Sequence, residues 1–397
     1  MLVGIFGRHP IPQPGFMGVM SLFEAIYLSR QGHEVELLLP FPDPAALAGF
    51  LGTHGLSGLD RLEQYNGCFA VRALFAGEAL ERRYDAIIYQ SYDAADFVTH
   101  FPALRQAARI LTKNFPKFVP SARHAFHETV VSSFRTFDVV ACALRDDVVE
   151  MQTNARFWDR HGAQVAYVPR GADPVMLHPG RKPGGRPTIG LEIPFTADGR
   201  AAIGFYVEPI RRLREQVPGL RVLTLGAEPH PEIESEHVPF GRFDTIYEEF
   251  FNEVWLYLIM DYALSPVHVT APVQRLHPGS GPGDGSASRL GGGSGGWSAR
   301  AIYEVQNIEA QMAGAVIVGH PRNTIPELLQ PGATALHFRN YDDAAALTAL
   351  MRAGIDDFAA MSRCARRWAV ENFTWEHCMA LWSDALSQAV PLVERDA

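Results

Sequence analysis

Two successive series of short apolar runs, each run followed by a helical stripe, constrain this chain more than any other feature of its sequence. The first series opens on "LVGIF" (Leu2 to Phe6), which is apolar on both faces and reads as a buried strand. After a Pro/Gly loop, "GRHPIPQPGFMG", the residues Val19, Leu22, Phe23 and Ile26 fall at i, i+3, i+4 and i+7 and predict one apolar helix face. "RQGHEVELLLP" ends that helix at a glycine and opens a second buried strand, completing a βαβ unit. Further strands are expected in "YDAIIYQS", "ARILTKN", "FDVVACA" and "QVAYVP", with "LRDDVVEMQ" helical. Such alternation calls for a parallel sheet covered by helices on both faces.

A Pro/Gly/Arg-rich stretch, "HPGRKPGGRP" (His178 to Pro187), has the composition of an interdomain connection. The second series begins directly after it. "TIGLEI" predicts a strand, "AAIGFYVEPIRRLREQ" a helix despite Pro209, "LRVLTLG" a strand, "TIYEEFFNEV" a helix and "WLYLIM" a strand, with "AGAVIVG" and "ALHF" as later strands. The expected fold class is α/β: two doubly wound, Rossmann-like lobes at 1–180 and 181–372, a closing segment at 373–397, and a cleft between the lobes as the ligand site. Gly and Ser dominate 277–298, which reads as a solvated insertion or linker, or as a lid that orders over ligand.

Composition narrows the function. At 397 residues and 47% hydrophobic content the chain can bury more than one core. Its formal charge of −9 and lack of any basic run argue against nucleic acid as a partner. The four cysteines are scattered, without the close pairs of a zinc site, and read as reduced thiols of a cytoplasmic protein. No run of about 18 apolar residues occurs, so a membrane contact is expected to be peripheral at most.

One acid stands out in the stretch "YEVQNIEAQMAGAVIV" (Tyr303 to Val318). Glu309 sits in a predicted helix that becomes small and apolar before the next strand. A helix N-terminus carries unpaired N–H groups and a partial positive charge, so it can hold a diphosphate while a carboxylate one turn in accepts hydrogen bonds from ribose hydroxyls. A plain alternative is that Glu309 only favours its helix end, by about 0.3–1 kcal/mol.

Along nearly its whole length the chain resembles glycosyltransferase family 4, a retaining family of the GT-B fold. "IEAQMAGAVIVGHPRNTIPELLQPGATALHF" is similar to that family's donor-lobe signature, and "VAYVPRGADPVMLHP" to the end of its first lobe. "FDVVACALRDDVVEMQ" matches the strand and helix before it, and "ENFTWEHCMALWSDAL" the closing helix, where Trp375, Met379, Trp382 and Leu386 supply an apolar face.

The resemblance implies a site. Glu309 matches the second glutamate of the family's pair, which contacts the nucleoside ribose, and the backbone around Gln306, Asn307 and Ile308 would lie against the donor phosphates. Gly15 and Gly18 match the loop that approaches the transferred sugar and the acceptor. The first glutamate of the pair falls at Ala301, so Glu304 is the remaining candidate for its catalytic place. The family's basic pair is incomplete: Thr196 or Phe195 falls near the Arg position, and Arg200 beside the Lys position is the remaining phosphate contact. Asn114 or Lys113 stands where a sugar-polarising His often follows the fourth strand. His124 and His127 nearby read as ordinary half-exposed histidines, and Thr324 to Glu327 as a capping box.

Two functions are compatible with this pattern. Under the first, the chain is a retaining glycosyltransferase moving a sugar from a nucleoside-diphosphate sugar to a hydroxyl-bearing acceptor, without metal or other cofactor. Fixed dipoles and Arg200 would offset the leaving-group charge. Under the second, transfer has lapsed and the chain binds nucleotide sugar or serves as a partner subunit.

Overall fold

The computed structural model describes residues 1–6, 16–41, 43–53, 69–75, 82–89, 110–114, 137–145, 164–180, 185–193, 203–226, 228–239, 243–259, 304–320 and 327–388, with a few isolated positions, among them Lys182. It forms two compact units, the first built from Met1–Pro169 and Trp375–Ala397, the second from Arg170–Gln274 and Ala287–Thr374. The Gly/Ser-rich stretch 277–298, Thr324, His124 and His127 lie outside the described residues.

In the first unit, strands β1 (Leu2–Phe6), β2 (Glu34–Phe41), β3 (Ala70–Phe75), β4 (Ala86–Tyr89), β5 (Ile110–Asn114), β6 (Val139–Cys142) and β7 (Gln164–Tyr167) form one sheet. Its order is β3-β2-β1-β4-β5-β6-β7, and its pairs are parallel. β1, β4 and β6 are almost wholly buried, as runs apolar on both faces must be in a helix-covered sheet. Helix α1 (Phe16–Arg30) follows β1 and buries Leu22, Phe23, Ile26 and Tyr27, while α2 (Pro44–Thr53) follows β2.

The second unit repeats the plan. Strands β8 (Thr188–Ile193), β9 (Arg221–Gly226), β10 (Glu236–Pro239), β11 (Leu256–Leu258), β12 (Val316–Gly319) and β13 (Ala335–His337) pair in parallel in the order β10-β9-β8-β11-β12-β13. Helix α3 (Val207–Gln216) tolerates Pro209 because the proline is its third residue, where no intrahelical N–H bond is due. A short α4 (Phe243–Ile246) runs into a single π-helical turn, Tyr247–Phe251, marked by the Asn252 N–H bonding the Tyr247 carbonyl at 2.9 Å. Helix α5 (Glu304–Met312) precedes β12, and α6 (Ala344–Asp356) and α7 (Phe358–Asn372) follow β13. The last helix, α8 (Trp375–Gln388), belongs to the first unit. There Trp375 stacks on Phe23 at 5.4 Å, and Trp382, fully buried, donates Nε1–H to Glu24 at 3.2 Å. Met379 and Leu386 are buried beside them in sequence register, so the expected apolar face is present.

Within the stretch read as a connection between lobes, Lys182 packs inside the second unit. Lys182 is 2% exposed, and its ammonium donates to the Phe251 carbonyl at 2.9 Å and the Ala313 carbonyl at 2.5 Å. It thus closes the C-terminal ends of the π-turn and of α5, where carbonyls lack intrahelical partners. Composition alone hides this, because a Pro/Gly-rich segment with one lysine looks solvated. Among the described residues no helix is long and apolar enough to cross a membrane.

Candidate functional site

In the second sheet the strand order reverses between β8 and β11, and in doubly wound sheets ligands bind beyond the strand carboxyl ends at that point. Glu192 is the fifth residue of β8, at its carboxyl end. Its Oε2 accepts a 3.4 Å bond from Gln306 Nε2, which brings the first turn of α5 to this end of the sheet. The helix leaves it through a C-terminal turn closed by Gly314 at φ +78°. There the Gly314 N–H bonds the Gln311 carbonyl at 2.8 Å and the Ala315 N–H the Ala310 carbonyl at 2.7 Å, a Schellman arrangement that needs a left-handed residue. That requirement explains the glycine in "QMAGAV" and fixes where the next strand begins.

Glu309 is the sixth of the nine residues of α5, deeper in the helix than an N-terminal motif suggests. It lies on the same face as Gln306, three residues earlier. Its side chain is 8% exposed, and its Oε1 accepts a 2.5 Å bond from the Tyr247 hydroxyl. Among the described residues no cation pairs with it. Burial pushes its carboxyl up to about 8, with the Tyr247 bond pulling the other way and the Glu192 charge adding to the rise. Burial likewise raises Glu192 to about 7, opposed by the Gln306 bond. Two acids disfavoured as anions thus face one end of a helix, an arrangement that concentrates in functional sites.

The expected site residues fare differently. Glu304 is the first residue of α5, and its side chain lies outside the described residues. Asn307 is fully buried and neither polar atom of its amide has a partner among the described residues, where Gln306 Oε1 and Gln311 Oε1 also find none. Ile308 is fully buried, and with the helix starting at Glu304 its N–H and that of Asn307 fall inside the hydrogen-bonded part. The unpaired N–H groups therefore belong to residues up to Gln306. Asn114 ends β5 in the first unit, in register with Cys142. Gly18 is the third residue of α1 and thus belongs to a helix rather than to the preceding loop. Gly15 and Arg200 lie outside the described residues.

The sequence does not mark Tyr247 or Glu192 as a site residue. Glu192 is a lone acid in an apolar strand, which is a signal of sorts; Tyr247 carries none. A cavity of about 340 Å³ opens at the other, amino-terminal end of this sheet, lined by Lys182, Arg186, Arg221, Glu236, Glu253 and Trp255. Its polar groups are already engaged: Arg221 holds Glu236 at 2.7 Å and Glu253 at 3.0 Å, while Lys182 and Arg186 bond backbone carbonyls.

No family model matches the sequence, and no curated protein matches it. Among solved structures the chain is similar to a sucrose-phosphate synthase from Thermosynechococcus elongatus, with TM-score 0.60, 12% identity and 100% of each chain covered. It is also similar to Anabaena Alr3699/HepE in complex with UDP, with TM-score 0.57, 13% identity and coverage of 97% and 99%. A glycosyltransferase from Rickettsia africae gives TM-score 0.56 at 12% identity, with 98% of each chain covered. At such identities the likeness is one of architecture, and the architecture is named: the chain has the GT-B fold.

Proposed function

We propose that this chain transfers a sugar from a nucleoside-diphosphate sugar to a hydroxyl-bearing acceptor, with retention at the anomeric carbon and without a metal ion. The observation that supports this reading is Glu309: a buried acid that no cation among the described residues pairs with, held by one oxygen, at the carboxyl end of a doubly wound sheet. Its second oxygen is the group that would accept the vicinal hydroxyls of a ribose. The N–H groups of the first turn of α5 would face the departing diphosphate, supplying fixed dipoles where charge develops. Similar GT-B structures were solved with UDP and with UDP-glucose, which is consistent with this class of donor.

Incubation with a panel of nucleotide sugars and sugar acceptors should release free nucleoside diphosphate, in buffer containing EDTA as well as without it. Glu309→Ala should cut that release by about 100-fold, the loss of a charge-assisted bond pair to substrate. Anomeric proton spectra of the product decide between retention and inversion. Nucleotide binding without release across the panel would instead make the chain a lapsed binder, a reading favoured by Ala301 at the place of the first glutamate.

A further inference from the structure

The π-helical turn that carries Tyr247 has no counterpart in the apolar spacing around it, and such turns recur at functional sites. Here it is fixed from three sides. Asn252, the donor end of the π bond, donates Nδ2–H to the Met176 carbonyl at 2.8 Å and accepts the His178 N–H at 2.9 Å. Phe250 and Phe251 are buried and meet Tyr257 edge-on or tilted at 6.2 and 5.8 Å. On the sheet side, Gly190 of β8 leaves room: a Cβ there would stand 2.3 Å from Val254 Cγ2 and 3.0 Å from Phe250 Cζ. The Tyr247 hydroxyl is therefore delivered at a set depth, and it ends on Glu309 Oε1.

We infer that Tyr247 is the positioning residue for Glu309, its hydroxyl holding one carboxylate oxygen so that the other alone is presented to a vicinal diol. The inference rests on Glu309 as the ribose-binding acid. A carboxylate on a helix face turns freely about its last torsion, which is broad and roughly two-fold. A single strong donor on Oε1 removes that freedom before ligand arrives, and pre-organisation of this kind raises affinity by lowering the ordering cost. The same bond favours the charged form, the one able to accept two hydroxyl protons. Among the described residues the groups facing Glu309 are Tyr247 from the π-turn and Glu192 from β8, with Asp173 acting on Tyr247 and with Gln306 engaging Glu192. Lys182 and Arg366 bind the Ala313 and Met312 carbonyls at the far end of α5 and hold the helix rather than the acid.

The test uses the full chain and three probes, UDP, GDP and ADP, each beside its 2′,3′-dideoxy form, titrated calorimetrically from pH 6 to 9. The ratio of ribo to dideoxy affinity isolates the diol and cancels the ionisation of the probe's phosphate. For the wild type this ratio should rise with pH through the Glu309 ionisation. Tyr247→Phe should lower it about 10-fold at pH 7 and move its midpoint up by about one unit, the loss of one hydrogen bond to a charged acceptor. The dideoxy affinities should stay put. Replacement of Tyr247 by 3-fluorotyrosine, a stronger donor of the same shape, should move the midpoint down, and it serves where Tyr247→Phe fails to fold. If Glu309→Gln lowers the ratio while both Tyr247 variants leave ratio and midpoint unchanged, the positioning role is wrong and the ribose contact stands. Should no probe bind, or Glu309→Gln leave the ratio unchanged, both fall together.

Discussion

Each unit buries a glutamate against a tyrosine, and the two pairs differ in one partner. In the first unit Glu36, 7% exposed, accepts from the Tyr84 hydroxyl and from Arg82 NH1 at 2.7 Å. In the second, Glu309, 8% exposed, accepts from Tyr247 and has the acid Glu192 near it instead of an arginine. Burial is equal, so the difference lies in charge. An ion pair with satisfied hydrogen bonds belongs to the architecture, since its acid already has what a ligand would supply. An acid buried without a cation costs stability in the free protein, and sites that must meet a ligand accept such costs.

The sharpest way to break this contrast is to neutralise each acid in turn. Glu309 is raised from 4.5 to about 8, so the folded chain holds a proton that the unfolded chain has released over that interval. Stability must then fall as pH rises between the two values and level off above the upper one. At about 1.36 kcal/mol per unit, Glu309→Gln should stabilise the chain at pH 8.5 by on the order of 5 kcal/mol and remove Glu309's share of the decline, leaving that of Glu192. Urea midpoints at pH 5, 7 and 8.5 read this directly; a Glu309→Gln chain less stable than wild type at pH 8.5 would contradict it. Nucleotide affinity should drop in the same variant, so that stability and binding move in opposite directions. Glu36→Gln should do the reverse. It strips the charge from two hydrogen bonds in the first unit and should cost about 2–3 kcal/mol at pH 7, with nucleotide affinity unchanged. Loss of nucleotide binding in folded Glu36→Gln would erase the distinction between the pairs.

The sequence makes one half of this comparison visible and hides the other. The central strands announce themselves because both faces are buried, and "TIGLEI" coincides with β8 from end to end. The edge strands β3 and β10 do not, being only partly covered and without a continuous apolar run, whereas the edge strands β7 and β13 are expected from "QVAYVP" and "ALHF". Glu309 is legible as an acid in a shrinking apolar stretch. Tyr247 is not, since Tyr247, Phe250, Phe251 and Val254 are buried at the i, i+3, i+4, i+7 spacing of an ordinary α-helix. Nothing in that spacing distinguishes a π-turn, and the partner it finds is 62 residues away. Periodicity reports which face is buried, whereas the hydrogen bond that matters here is set by a one-residue excess in the turn.

The smallest effect is also the most local. Gly4 in β1 and Gly190 in β8 occupy the first strand of their units, and each leaves space for the elements around a tyrosine–glutamate pair. A Cβ on Gly4 would meet Leu38 Cδ1 and Tyr84 Cδ1 at 3.1 Å, contacts that side-chain tips relieve by small shifts. A Cβ on Gly190 would meet the branched Val254 at 2.3 Å, so the chain leaving the π-turn must itself move. Gly190→Ala should therefore cost about 1–2 kcal/mol, within the range for overpacked cores, and Gly4→Ala less. The informative reading is again the ribo to dideoxy affinity ratio. Displacing the turn tilts the Tyr247 hydroxyl off Glu309, so Gly190→Ala should lower the ratio several-fold at pH 7, an expected consequence of a misplaced donor. Gly4→Ala should leave it alone. If both alanines cost the same stability and neither touches the ratio, the π-turn is packing only, and the second tyrosine–glutamate pair is as structural as the first.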